Sequence, residues 1–428
     1  MTCRCSFSEL TYDNSDRRNE KEGFETRKEN IIYVGIDLHK ETHTAVMLDC
    51  WNQKLGEITF DNKPSVFHKL TRKVSRFVTK EKTAVYGLEN AYGYGRALAV
   101  WLLEKGCAVK DVNTALSYAQ RKSVPMYQKN DSYDAEAVAL VLINMLDKLP
   151  DAVPDDAYWT LGQLVNRRDN ICSHQQRLKK QLHEQLCVAY PSYKGFFGDI
   201  SRATALYFWL NYPSPEHLRG KTAEELASEL RPISHNNCSI KRAEKILERV
   251  RTDGQTAREH QASRDAITRS IAGDLEHYRE QLKIVESAIE TMLPSFRCTL
   301  MTMPGVDVTT AANMLSEIGD IHRFPNADKL AKFTGICPIN FSSAGKGKDM
   351  CPKQGNRRLQ SIFYFMAIQM IQVSTNGTPR NKVFREYYLK RVAEGKNKQQ
   401  VLICIARRLV NIVYGMLKNH TEYREPEQ

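Results

Sequence analysis

The sequence predicts a mixed α/β unit followed by an all-α remainder, and three observations predict it. Five short β-rich runs alternate with helical patterns over roughly residues 30 to 150. Beyond about 155, apolar residues recur at three-and-four spacing through long polar stretches, and two C-terminal runs, LQSIFYFMAIQMI and VLICIARRLVNIVYGML, also have helical spacing. The length agrees: 428 residues are too many for one ordinary core and suit two or three domains.

Residues 1 to 29 are polar and densely charged, a composition that cannot bury enough surface to offset ordering, so they are expected as a flexible arm. IIYVGIDL, THTAVMLD and KLGEITF follow as three strands with short polar breaks, which suggests an antiparallel meander. A helix around Val66 to Val78, the strand TAVYGLE, a helix near Gly95 to Glu104, the strand CAVKDVN and a helix from about Ser132 to Leu146 complete the unit. Three strands and then alternating helix and strand is the order of a ribonuclease-H-like (RuvC-like) α/β domain, placed at 30–155. Residues 156–297 read as a helical, coiled-coil spacer that mediates assembly, with Pro213, Pro215 and Pro232 marking an irregular middle. Residues 298–420 read as a compact helical domain with basic loops, and 421–428 as a tail.

A net charge of +12 favours a polyanionic partner. From Lys329 to Gln428 there are 18 basic and 6 acidic residues, so the last hundred residues hold the whole excess. The eleven cysteines lack the paired spacing of a zinc site, which predicts reduced thiols. The N-terminus lacks the order of a signal peptide, and no stretch approaches the roughly 18 apolar residues that span a bilayer, so a cytoplasmic, nucleoid-associated protein is expected.

Asp37 lies on the first strand pattern and Glu89 ends the fourth; in the expected order these strands are neighbours, which lets the two carboxylates converge. Asp131 and Asp134 stand three apart at a helix start and so share a face. Together the four suit hard divalent cations, whose pairing assists phosphoryl transfer. The plainer reading of Asp131 is a helix N-cap. Asp49, Glu41 and Glu136 are nearby and are read as surface or supporting residues.

In PGVDVTTAANMLSEIG, Gly305 permits a tight turn before a helix, which has the form of a helix-hairpin-helix element able to hold a phosphate on its N-terminus; an ordinary turn between core helices is the alternative. Downstream, FTGICPINFSSAGKGKDMCPKQGNRRLQ joins Ser342 and Ser343 to Lys346, Lys348, Lys353, Arg357 and Arg358 in one long loop. Such loops bind phosphates and present nucleophiles, although serine there is more often a turn residue.

With these pieces assembled, the chain resembles the DEDD-type transposases of the insertion-sequence family numbered one hundred and ten, which includes DNA invertases. GIDLHK, LENAYG, NDSYDAEAVA, MPGVDVTTAANMLSEIG, FTGICPINFSSAGKG and KQGNRRLQ occur in family order over roughly residues 31 to 418. The resemblance implies that Asp37, Glu89, Asp131 and Asp134 bind Mg²⁺. It implies a serine that forms a transient phosphoserine link to DNA, with Ser343 selected by the motif and Ser342 as its rival. It further implies donor and target DNA, a noncoding bridge RNA, and a homo-oligomer, dimer or tetramer, in which the acidic domain of one protomer meets the serine domain of another. ENAYG departs from the commoner Ala-Thr-Gly, and Ala344 precedes Gly345 where glycine often follows the serine directly. A junction-resolving nuclease using water and a non-catalytic nucleic-acid-binding relative are the other readings.

Overall fold

A computed structural model describes residues 27–123, 130–152, 154, 156–257, 259–337, 339–343, 346–350 and 355–425. The expected N-terminal arm lies almost wholly outside these. The chain divides into two compact units, Met1–Asp155 and Asp156–Gln428.

In the first unit β1 (Ile31–Leu38), β2 (Thr42–Leu48), β3 (Lys54–Asp61), β4 (Thr83–Glu89) and β5 (Ala108–Val112) form one sheet in the order β3-β2-β1-β4-β5. The β1–β2 and β2–β3 pairs are antiparallel, whereas β1–β4 and β4–β5 are parallel. Antiparallel steps need only turns: Asp49 accepts from the backbone N–H groups of Trp51 and Gln53 at 2.9 and 2.8 Å. Parallel steps need crossovers, supplied by α1 (His68–Val74) and α2 (Arg96–Glu104). Two more helices, α3 (Thr114–Lys122) and α4 (Asp131–Met145), follow β5.

Strand parity explains the layering. Ile32, Val34 and Ile36 of β1 pack with Phe67, Leu70, Leu98 and Leu102, while Ile31 and Tyr33 pack with Val138, Ala139 and Leu142 of α4. Gly35 and Asp37 therefore belong to the α4 side. A Cβ at Gly35 would lie 2.2 Å from the Ala135 carbonyl oxygen and 2.3 Å from the Ala139 nitrogen. Only glycine lets the helix backbone settle this close to the strand, and this contact fixes where the start of α4 falls relative to the end of β1.

In the second unit the 34-residue α5 (Asp156–Ala189) pairs with the 32-residue α9 (Gln261–Met292). One end of the pair, with Leu182, Leu186, Ile271 and Leu275, packs with α6 (Ala203–Asn211), α7 (Ala223–Ile233) and α8 (Ile240–Asp253) around Trp209. The stretch expected to be irregular thus builds an aromatic core of its own. Pro215 opens a 3-10 turn at a first position where no N–H is needed, and Pro232 sits one residue from the end of α7, so the hydrogen bond it removes is confined to the last turn.

At the other end of the pair, Leu161, Val165, Val285 and Ile289 share a core with α10 (Val308–Ile318), α11 (Ala327–Phe333), α12 (Arg357–Met370), α13 (Lys382–Ala393) and α14 (Lys398–Asn419). The expected boundary at 297/298 crosses this continuous core. By length and composition α14 could cross a membrane, which the sequence reading did not anticipate; its Val401, Ile405, Leu409 and Val413 are buried in the core. The segment read as one long loop instead contains a hairpin of β6 (Ile339–Ser343) and β7 (Lys346–Met350). Gly305 is preceded by a three-residue 3-10 turn, Leu300–Thr302, which differs from the full helix that a helix-hairpin-helix element would place there.

Candidate metal centre

Asp37 is the next-to-last residue of β1 and Glu89 the last of β4. The parallel register pairs Ile36 with Leu88, so the two acids are the next step along neighbouring strands. Above them α4 begins at Asp131. Its cap is Asn130, whose side chain accepts from the Tyr133 N–H at 2.7 Å, so the capping alternative for Asp131 does not apply. Asp131 and Asp134 stand in the first turn, at the positive end of the helix dipole.

Two basic side chains bridge the four acids in pairs. His39 Nε2 lies 3.0 Å from Asp37 Oδ2 and 3.4 Å from Asp131 Oδ1. Arg121 NH1 lies 3.4 Å from Glu89 Oε2 and 3.5 Å from Asp134 Oδ1. Asp37, Glu89, Asp134 and Arg121 are 11–18% exposed, whereas His39 (50%) and Asp131 (57%) face solvent. Burial pushes the Asp37 carboxyl up to about 6; His39 opposes this, and Asp134, Glu89 and Asp131 add to it. All three other acids of the set therefore act on Asp37.

Among the described residues Asp37 Oδ2 and Asp134 Oδ1 are buried without a hydrogen-bond partner: the His39 and Arg121 nitrogens stand at ion-pair distance but outside hydrogen-bond geometry. Buried acceptors left this way are costly and call for a cation. Asp37, His39 and Asp131 alone already form a group that could hold a metal ion. The oxygen-rich donor set fits a hard divalent ion. Sequence reasoning missed both basic residues. His39 was within the quoted GIDLHK motif, two residues after Asp37, whereas Arg121 sits on α3, a nine-residue helix that apolar spacing did not predict.

The C-terminal candidates lie in the second unit. In the hairpin register Ser343 pairs with Lys346 and Ser342 with Gly347; Lys348 is opposite Phe341, and Lys353 lies outside the described residues. Arg357 begins α12 and donates to Gln360 Oε1 at 2.7 Å. Arg358 differs from the phosphate-clamp expectation: its guanidinium donates to Asn166 at 2.8 Å and Glu317 at 3.0 Å and pairs with Asp169, tying α5, α10 and α12 together. Gly305 has φ +86, and a Cβ there would meet Gln369 Oε1 at 2.6 Å. The α10 N-terminus after it is capped by Asp307, which accepts from the Thr310 N–H at 2.7 Å. A carboxylate in that place repels the phosphate that the turn was expected to hold.

Comparison with known proteins gives this geometry its class. A family model for a DEDD transposase matches residues 34–191, and one described as the transposase IS116/IS110/IS902 family matches residues 298–389. The chain is 25% identical over 411 residues to an uncharacterized 43.6 kDa protein of insertion element IS110 from Streptomyces coelicolor, covering 92% of this chain and 95% of that one. It is 26% identical to an uncharacterized 44.8 kDa protein of insertion element IS116 from Streptomyces clavuligerus (91% and 95% covered). It is 22% identical to a pilin gene-inverting protein from Moraxella lacunata (91% and 97% covered). The protein is thus an enzyme of the DNA-cutting and rejoining class. These matches support an assignment to the IS110/IS116 family of DEDD transposases, which implies a DNA substrate and a divalent metal.

Proposed function

We propose that the enzyme moves its element by a two-part chemistry, with Mg²⁺ on the DEDD tetrad in a ribonuclease-H-like first unit and a nucleophilic serine, Ser343, in the second. One observation carries this reading: Asp37, Glu89, Asp131 and Asp134 come from two strand ends and one helix start, and two of their buried oxygens lack a hydrogen-bond donor among the described residues. The β3-β2-β1-β4-β5 order, with its antiparallel and parallel halves, supports the fold assignment.

When bound, the metal supplies charge neutralisation at the scissile phosphate and its leaving oxygen. Asp37, Glu89 and Asp134 hold it from the buried side and Asp131 from the solvent side. Ser343 Oγ attacks the phosphorus, the bond to the leaving strand breaks, and that strand departs with a hydroxyl end. A hydroxyl of the second duplex then attacks the phosphoserine ester and releases the serine, so exchange needs no outside energy source. Lys346, Lys348, Lys353 and Arg357 hold the phosphates on either side. A noncoding bridge RNA selects donor and target DNA, and the chain acts as a homo-oligomer.

The test is a search for a covalent protein–DNA adduct on a denaturing gel, using full-length protein, Mg²⁺, labelled element-end DNA and RNA transcribed from the flanks. An adduct lost in Ser343→Ala and Asp37→Asn but kept in Ser342→Ala supports the assignment. Loss in Ser342→Ala alone moves the nucleophile by one residue. Cleavage without adduct, indifferent to both serines, replaces the reading with metal-dependent hydrolysis.

A further inference from the structure

We propose that Arg121 is the counter-ion of the metal-free tetrad, which the incoming divalent cation displaces from Asp134. The inference rests on the tetrad being the metal site and concerns what occupies that site before the metal does. Arg121 NH1 places one nitrogen between Glu89 Oε2 and Asp134 Oδ1, at 3.4 and 3.5 Å, and so joins β4 to α4. Among the described residues its side chain donates a hydrogen bond to Glu89 and not to Asp134. Asp134 Oδ1 is buried, beside this guanidinium, and still has no hydrogen-bond partner among them. Arg121 therefore holds Asp134 by charge without satisfying it, which makes the contact easy to exchange.

Occupancy is exclusive. Mg²⁺ takes oxygen ligands at about 2.0–2.1 Å, shorter than either contact of NH1, so cation and guanidinium cannot both stand between these two oxygens. The arginine is held in reach by its backbone: the Tyr133 hydroxyl, on α4 next to Asp134, donates to the Arg121 carbonyl at 3.2 Å. Its side chain can leave the carboxylates while its main chain stays fixed beside them. Without Arg121, Glu89 and Asp134 would face each other as two largely buried like charges, which destabilises the metal-free protein.

Arg121 is thus a positioning residue that keeps the empty site folded and competes with the metal that fills it. The opposite effects of its removal on stability and on affinity separate this from a merely structural role, in which both would fall together. The experiment measures Mg²⁺ binding by calorimetry and thermal unfolding with and without Mg²⁺, on full-length wild type, Arg121→Gln, Arg121→Lys and Asp37→Asn. For Arg121→Gln the expected results are roughly five- to tenfold tighter Mg²⁺ binding, the scale of one partly buried ion pair, and a lower metal-free melting temperature restored by saturating Mg²⁺. Arg121→Lys, which keeps the charge but reaches less far toward Asp134, should melt close to wild type and bind Mg²⁺ more tightly than wild type, though by less than Arg121→Gln. Equal or weaker Mg²⁺ affinity in Arg121→Gln, with wild-type binding intact and abolished by Asp37→Asn, overturns the counter-ion role. If Arg121→Gln does not fold, Arg121→Lys decides: tighter Mg²⁺ binding than wild type, from its shorter reach to Asp134, supports competition, and equal or weaker binding overturns it. Binding in wild type that Asp37→Asn leaves unchanged instead overturns the tetrad reading itself.

Discussion

Replacing Gly35 by alanine tests how the fold places the acids. The added Cβ would start 2.2 Å from the Ala135 carbonyl oxygen and 2.3 Å from the Ala139 nitrogen, both backbone atoms that no rotamer change can remove. Reaching an ordinary contact of about 3.5 Å requires α4 and β1 to separate by about 1 Å. Overpacking of this kind costs about 1–3 kcal/mol. The functional loss should be larger than the stability loss suggests, because α4 carries Asp131 and Asp134 while β1 carries Asp37. In the proposed role as metal ligands these acids must be held within about 0.5 Å, and a 1 Å misplacement costs on the order of a hundredfold in rate. Thermal unfolding and Mg²⁺-dependent cleavage of element-end DNA measure the two effects. Gly56→Ala is the control: its Cβ would meet side-chain atoms of Lys73 and Phe77 no nearer than 3.4 Å, and should leave stability within about 1 kcal/mol of wild type. Wild-type melting and cleavage in Gly35→Ala would refute the claim that this close approach sets the site.

The remaining expectations concern charge and core. Burial raises the Asp37 carboxyl from 3.8 to about 6. Below 3.8 it is protonated folded or unfolded; as pH rises to about 6 the unfolded state ionises first, so metal-free stability falls by about 2–3 kcal/mol across that window. In urea titrations from pH 4 to 7 Asp37→Asn should flatten this slope, and Mg²⁺ affinity of wild type should rise through the same window. Arg358→Ala should cost about 2 kcal/mol by denaturant unfolding, through its contacts to Asn166, Asp169 and Glu317, and leave the salt dependence of DNA binding unchanged. Lys346→Gln with Lys348→Gln should do the reverse, lowering the slope of log affinity against log salt by about 2 in filter binding. Trp209→Ala, in the core of the α6–α8 end, should cost about 3–5 kcal/mol in the same unfolding assay while calorimetry finds Mg²⁺ affinity as in wild type.

Local signals made the first unit legible. β-rich runs and polar breaks mark all five strands, because each strand is short and its turn chemistry is written beside it, as at Asp49. The acids were legible for a related reason: aspartate is rare in buried strands, so Asp37 within VGIDL stands out. What could not be read depends on contacts between distant segments. Arg121 is one of many arginines until α3 turns it toward Glu89 and Asp134, which lie 32 residues before it and 13 after. Arg358 shows the converse. Its neighbours in sequence, GNRRLQ, suggest phosphate binding, and only the packing of α5 and α10 against α12 reveals that its donors are already taken. Charge counts cannot distinguish a cation committed inside the fold from one left for a polyanion.

Four carboxylates in one place would repel each other and unfold a site that had nothing to oppose them, so the metal-free fold needs its own cations. The architecture provides one helix dipole and two basic side chains, each from a different element, the histidine being a cation only when protonated. The start of α4 directs its helix dipole at Asp131 and Asp134. Arg121 at the end of α3 joins Glu89 to Asp134, and His39, just past β1, joins Asp37 to Asp131. None of them satisfies every acceptor: Asp37 Oδ2 and Asp134 Oδ1 remain without donors among the described residues. On the proposed metal-binding role, this compensation keeps the strands and helix together while a cation is still favoured. A site compensated in full would have no reason to bind metal, and one left uncompensated would not fold to receive it.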